Sequence, residues 1–397
     1  SWPYATLGFP DGEDFKSFYP LSLMESGFDL LFPWISRMIM LGLYVTREIP
    51  FKDVYLHGMI TDGQGRKMSK SVGNVIDPMD TIDSFGSDAL RIGVISGQTA
   101  GNNQPFVEAK VIGGRNFINK LWNIARFIEG SLDSFALPEP KPETAADHWI
   151  LDRFTKTRTD YLKQMDGYRY SEAYETVYHF IWDDLADWYI EASKITPNKP
   201  LLAALLKGSL SLIHPFAPFV SETIWQTLEL DEDATLISQE LINLPEGDEK
   251  QSAQFGRIKE LVIEIRSVLK ATGSANVKLY YRGEPTVAEF AQLINSLSGT
   301  KNVEEGEPGQ GIALSSSGFN CWLDIDQASI DRYLSRLEEQ IAAQQLRTKQ
   351  LKGRLNNADY VKLAPKELVD ESRAQLVDAE QSFEALLDEK LRFSPKS

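Results

Sequence analysis

Cysteine is nearly absent. Cys321 stands alone in 397 residues, which excludes an intramolecular disulfide and a cysteine-cluster zinc site and points to a reducing compartment. Histidine is scarce as well. His57, His148, His179 and His214 stand far apart, so no metal-ligand spacing is present and no metal site is expected. No apolar run approaches the ~18–20 residues that span a bilayer. The longest, Phe28 to Val45, is interrupted by Pro33 and Arg37 and reads as a buried helix, so no membrane partner is expected. No signal peptide is visible. Basic residues are outnumbered 41 to 57, for a net charge of −16. That balance excludes indiscriminate nucleic-acid binding, leaves room for local basic patches, and by itself serves solubility.

What is there fits a folded chain of two to four domains, with 42% hydrophobic and 11% aromatic residues. The chain opens at Ser1 inside an apolar, proline-containing stretch, so we expect part of a longer protein. Residues 1–25 read as loop. The run from Ser26 to 46 reads as a long apolar helix with a polar start, Asp29 near its N-terminus. A strand at 53–60 and helices at 78–85 and 87–97 complete what looks like the second half of a nucleotide-binding sheet. From 108 helix follows helix: 108–129, 148–165, 169–193, 198–213 and 217–228 carry apolar residues at three/four spacing. Pro138, Pro140 and Pro142 mark a linker. In the last of these helices Ser221 is a cap or an early polar residue.

Beyond an acidic loop at 231–250 and a helix at 252–271, residues 277–325 alternate short β-type runs with one helix near 286–297, a small α+β module. Positions 330, 334, 337, 341, 344, 348, 351 and 355 then repeat at four/three spacing. A second seam runs through Val369, Ser372, Leu376, Ala379, Phe383 and Leu386. Two such helices joined by a turn make an antiparallel coiled-coil hairpin. Near its turn Arg347, Lys349, Lys352 and Arg354 have no acid between them, which suits a phosphate backbone.

The most informative stretch is 65–78. It is a Lys/Ser loop flanked by glycines, preceded by the β-prone run Val54 to Ile60 and followed by Pro78, a residue suited to open a helix. Such a loop can bring Lys67 and Lys70 onto a polyphosphate as negative charge develops there. As a bare pattern it is more readily a solvated surface loop. In full, Lys67-Met68-Ser69-Lys70-Ser71 followed by Gly73-Asn74-Val75-Ile76-Asp77-Pro78 resembles the KMSKS signature of class I aminoacyl-tRNA synthetases. Within that class, Ser26-Gly27-Phe28-Asp29-Leu30-Leu31-Phe32-Pro33-Trp34 and Trp2-Pro3 with Thr6-Leu7-Gly8-Phe9-Pro10 resemble the valyl-tRNA synthetases. The C-terminal hairpin does so too. The resemblance covers essentially the whole chain. Two departures stand out. No HxGH signature and no editing domain are present, and 270–278 reads Lys-Ala-Thr-Gly-Ser-Ala-Asn-Val-Lys where the valyl enzymes carry a more basic run.

The resemblance implies a multidomain fold. Residues 1–107 are the C-terminal half of a Rossmann-like catalytic domain, and 108–250 an all-α stem-contact and anticodon-binding bundle. Residues 251–326 are a linker helix with an α+β module, and 327–397 a coiled-coil tRNA-binding arm. It implies valine activation by ATP with Mg2+ as substrate, no tightly bound cofactor, and transfer to tRNA(Val) in the cytoplasm by a monomer. Lys70 is then the chief triphosphate contact and Lys67 the second. Met68, Ser69 and Ser71 belong to the same ATP-binding set, the two serines as hydroxyl donors or as holders of the loop, and His57 and Gly58 lie by the adenosine. Trp2 and Trp34 wall the valine pocket, although buried tryptophans are usually core. Asp29 binds the valine ammonium or caps its helix. Arg115, Lys120 and the four basic hairpin residues contact tRNA, while Asn116, Asn119 and Trp122 contact it or pack. An isoleucyl- or leucyl-type enzyme, or a non-catalytic tRNA-binding protein built from the same domains, are the alternatives. The segment by itself is expected to be inactive.

Overall fold

The computed structural model describes residues 2–393 except 232–234, 308–310, 315–316, 358–359, 361 and 363–365. It divides into two compact units, Ser1–Ser252 and Ala253–Ser397.

The first unit begins with short helices α1 (Trp2–Thr6) and α2 (Glu13–Phe18) and strand β1 (Leu21–Gly27). Residues 21–25, expected as loop, are therefore strand. β1 pairs in parallel with β2 (Phe51–His57), from Leu21 opposite Phe51 to Gly27 opposite His57. The two strand ends lie side by side. The connection between them is not the buried helix expected. A 3-10 turn, Phe28–Leu30, leads into a π turn, Leu31–Ile35, and then α3 (Ser36–Thr46). Pro33 does not interrupt this run, because the wide turn tolerates its missing N–H. Phe28–Thr46 is thus 19 residues long and apolar enough, by length and composition, to cross a membrane. It is also largely exposed. Ile35 and Gly42 are its buried residues, whereas Phe32 is 86% accessible.

After β2 come β3 (Ile60–Thr61), the loop, α4 (Pro78–Phe85), α5 (Ser87–Ile95) and β4 (Gln104–Pro105), which pairs in parallel with β3. Helices α6 (Glu108–Ser131), α7 (Ala145–Asp166), α8 (Tyr170–His179), α9 (Ile190–Ser193, after a π-helical stretch Phe180–Tyr189), α10 (Lys199–Ile213) and α11 (Pro218–Thr227) form the bundle. Its core is dense: Phe117, Leu121, Ile150, Phe154, Phe180, Leu205 and Leu206 are buried. Asp147 joins three segments. It accepts from Tyr189 Oη (2.7 Å), Asn198 Nδ2 (2.9 Å) and the amides of Glu143 and Thr144 (2.9 and 3.1 Å). Ser221 is not a cap. It is buried inside α11 and donates to Ala217 O, while Asp88 of α5 accepts from the first-turn amides of Phe219 and Val220. That contact helps dock the sheet segment on the bundle, as do Tyr168 Oη to Asp53 (2.8 Å) and Arg91 to Pro215 O (2.9 Å).

Into the second unit runs α12 (Glu249–Thr272), followed by a four-stranded sheet in the order β6-β5-β8-β7. β5 is Lys278–Tyr281, β6 Asn302–Glu305, β7 Ile312–Leu314 and β8 Cys321–Leu323; α13 (Pro285–Glu289) and α14 (Ala291–Ser298) replace the single helix expected. The divergent 270–278 stretch is a helix end and turn. Gly273 takes a left-handed φ of 67°, Ser274 N donates to Leu269 O, and Lys278 pairs with Glu304 across the strands at 3.2 Å. Two long helices close the unit, α15 (Gln327–Asn356) and α16 (Lys366–Phe393). Contacts Lys390–Glu338 (2.7 Å), Gln344 Nε2 to Ala379 O (3.2 Å) and Tyr360 Oη to Ser372 Oγ (2.9 Å) run in opposite senses along the two segments. The helices are therefore antiparallel. Every seam position named above is buried or half-buried.

Candidate functional site: a lysine loop at the ends of parallel strands

The loop from 62 to 77 leaves β3 next to the carboxyl ends of β1 and β2, the side on which open parallel sheets receive ligands. Its shape is set from within. Asp62 is nearly buried and collects donors: the amides of Gln64 (3.0 Å) and Arg66 (2.8 Å), Arg66 Nε (2.8 Å) and Asn74 Nδ2 (2.9 Å). The Asn74 side chain first, then the Arg66 amide, hold its carboxyl well below the usual carboxylate range. Asn74 also accepts from Ser69 N (2.9 Å) and donates to Lys67 O (3.3 Å). Ser69 and Ser71 hydroxyls meet at 3.0 Å, and Met68 Sδ takes Ile76 N at 3.5 Å. Asp77 ends the loop as the N-cap of α4, accepting from Met79 N at 2.8 Å. A bridge between Thr61 and Lys67 fastens its near arm to β3.

This frame displays the two lysines. Lys70 is exposed and has no ion-pair partner among the described residues. Lys67 Nζ reaches Asp29 Oδ2 at 3.3 Å, with both groups largely in water. Asp29 does not cap its turn, whose N-cap is Gly27 with no side-chain bond. His57 turns Nε2 to Glu25 (3.0 Å) and Nδ1 to Gly58 O (2.8 Å). Gly58 admits no side chain: a Cβ there would lie 1.6 Å from Asn102 O. The structure thus brings Asp29, His57, Gly58 and Lys67 to the same strand ends. Trp34 is 52% exposed, which is not the core position usual for tryptophan; the Trp2 side chain lies outside the described residues.

The tRNA candidates divide. Lys120 is engaged by Asp187 at 2.8 Å and by the Trp182 ring at 4.9 Å. Arg115 lies over Phe85 at 5.6 Å. Asn116, Asn119 and Trp122 are exposed rather than packed in the core. On the hairpin Arg347 and Lys349 are exposed, Lys352 pairs with Glu380, and Arg354 lies over Tyr360 at 5.9 Å. The patch is less basic than α15 read alone, because α16 supplies an acid. Sequence reasoning gave no role to Asp62, Asn74 or Glu25. Asp62 lies four residues before Arg66, and that spacing was the signal available.

Three family profiles match. The tRNA synthetases class I (I, L, M and V) profile covers residues 1–104, the anticodon-binding domain of tRNA ligase 147–279, and the valyl tRNA synthetase tRNA binding arm 329–392. Valine–tRNA ligase of Dehalococcoides mccartyi strain 195 is 32% identical over 94% of this chain and 46% of its own length. The Bacillus subtilis protein of that name is 34% identical over 95% and 46%. The chain spans about half the length of the curated relatives it matches. A solved ternary complex, Agrobacterium radiobacter K84 agnB2 LeuRS-tRNA-LeuAMS, superposes with a TM-score of 0.50 over 70% of this chain and 34% of its own, at 17% identity. That likeness speaks for the fold alone. Catalytic-domain, anticodon-binding and valyl-arm matches follow one another along a single chain with relatives aligned through all three, and the chain therefore belongs to the class I aminoacyl-tRNA synthetases, as a segment of the valyl-tRNA synthetase type.

Proposed function

We propose that this chain supplies the KMSKS half of the active site and the tRNA-binding domains of a valine–tRNA ligase. The supporting observation is the loop itself: among the described residues Lys70 has no ion-pair partner and Lys67 meets only a solvated carboxylate, at the ends of parallel strands. In the reaction the valine carboxylate attacks the α-phosphorus of ATP and pyrophosphate leaves with the bridging oxygen. The terminal ribose hydroxyl of tRNA(Val) then displaces AMP from the valyl carbonyl. Most of the catalysis is positioning and charge neutralisation. Lys70 and then Lys67 meet the triphosphate, which arrives with Mg2+, and Ser69 and Ser71 keep the loop in register. His57 and Gly58 border the adenosine, and Trp2, Trp34 and Asp29 the valine.

Residues 1–107 would serve catalysis and 108–250 the tRNA stem and anticodon. Residues 251–326 connect them to an antiparallel coiled-coil arm, 327–397, whose Arg347, Lys349, Lys352 and Arg354 contact the tRNA. The protein would act as a cytoplasmic monomer. Amino-acid-dependent ATP–pyrophosphate exchange tests the reading, with the chain completed by the remaining half of its relatives' length. Valine should drive exchange far better than leucine, and isoleucine should be rejected on size. Exchange driven by isoleucine or leucine instead points to a sister enzyme, and tRNA binding without exchange to a non-catalytic binder.

A further inference from the structure

Glutamate is a poor strand former, yet Glu25 stands inside β1. Parallel pairing puts it opposite Tyr55, with Gly27 opposite His57 one step nearer the strand ends. Alternation turns all four to one face of the pair. The bundle covers the inner part of that face, where Tyr168 Oη donates to Asp53 at 2.8 Å and the Tyr170 ring meets Tyr55 at 5.3 Å. Glu25 reaches diagonally to His57, Oε1 to Nε2 at 3.0 Å. Gly27 makes room for that contact. Its φ of −64° suits any residue, so conformation does not call for glycine there. A Cβ at 27 would lie 3.6 Å from His57 Cε1 and 3.8 Å from Nε2, and a longer side chain would press on the ring.

The backbone beneath the ring is fixed separately. Leu56 O accepts from Gly101 N at 2.9 Å, Met59 N donates to Asn103 Oδ1 at 2.7 Å, and Asn102 O lies where a Cβ of Gly58 would be. Within this fixed stretch His57 Nδ1 bonds Gly58 O at 2.8 Å. The ring's other anchor is the Glu25 side chain. A carbonyl and a carboxylate both accept, so each ring nitrogen faces an acceptor of the protein and neither is left for a nucleotide base. What the ring offers a ligand is its face and its carbon edge. Stability is not what the pair supplies. The Glu25 and His57 side chains are 59% and 32% exposed, and pairs in water contribute little to folding.

We propose that Glu25 is a positioning residue for the nucleotide: it sets the His57 ring before ATP arrives, so that the adenosine meets a fixed imidazole face. The proposal rests on the reading above that puts His57 beside the adenosine. A ring without Glu25 must be ordered on binding, and that cost falls on ATP affinity. The test is valine-dependent ATP–pyrophosphate exchange in the chain completed by the rest of its relatives' length, with melting followed in parallel. Glu25→Ala should raise the KM for ATP about fivefold, as loss of preorganisation of one side chain does. It should leave kcat, the KM for valine and the melting transition close to the parent's. Glu25→Gln, whose amide can bond the same ring nitrogen, should restore the parent's KM for ATP. With His57→Ala as background, Glu25→Ala should change the KM for ATP no further, because the ring it positions is gone. An unchanged KM in Glu25→Ala, an effect that survives in the His57→Ala background, or no rescue by glutamine overturns the proposal while the function reading stands. A completed parent without valine-dependent exchange overturns the function reading, and this proposal with it.

Discussion

Two aspartates do the same job in two regions of the molecule, to different ends. Asp147 and Asp62 are both nearly buried, and each gathers donors from several places. Around Asp147 the donors come from Tyr189, Asn198 and the 143–144 backbone, so the carboxylate ties distant helices together. Around Asp62 they come from residues 64, 66 and 74, so it folds one loop upon itself. The first arrangement stabilises a bundle. The second holds a backbone in shape while leaving Lys67 and Lys70 in water, as the proposed contact with a triphosphate would require.

The sharpest way to break the comparison is Asp147→Ala. Four donors lose their acceptor, two of them buried (Tyr189 Oη and Asn198 Nδ2), so we expect a loss of ~3–5 kcal/mol in global stability, measured by denaturant unfolding. Tyr189→Phe removes one donor only and leaves the carboxylate its others; ~1–3 kcal/mol is expected by the same measurement. Asp62→Ala should instead leave the global transition nearly in place and raise amide exchange at Arg66 and Ser69. Its pH dependence has a definite sign. A carboxyl depressed in the folded state stabilises above the ordinary aspartate range near ~4, and that contribution disappears as pH falls through the lowered value. Loop protection should therefore persist on acidification well below the point where ordinary aspartates titrate, and Asp62→Ala should abolish that persistence. Phe32→Ala should change global stability by no more than ~0.5 kcal/mol, since its ring is already in water.

Two apolar helices explain how far the sequence could be read. Phe28–Val45 reads as a buried helix, and 198–213 as a helix with apolar residues at three/four spacing. Lys199–Ile213 is walled by α6, α7 and α8 with eleven buried residues of its fifteen, whereas the former keeps Ile35 and Gly42. Periodicity reports that a helix is apolar; it does not report whether a partner surrounds it. The seams of α15 and α16 were legible because a repeat specifies its own partner. β1 was missed because Leu21-Ser22-Leu23-Met24-Glu25 alternates weakly and is fixed by pairing with β2. β6 was missed because half of it is acid, as suits the edge strand it forms. In the site, the lysines and serines were legible as a motif. Asp62 and Asn74, which give the loop its shape, act through backbone amides that no spacing displays.

The central claim is that residues 65–78 bring an uncommitted lysine to a triphosphate. It is tested most directly by ATP–pyrophosphate exchange with Lys70→Ala, in the chain completed by the rest of its relatives' length. We predict that valine-dependent exchange slows by orders of magnitude while the KM for valine stays within a few fold. Exchange at the parent's rate would contradict the claim.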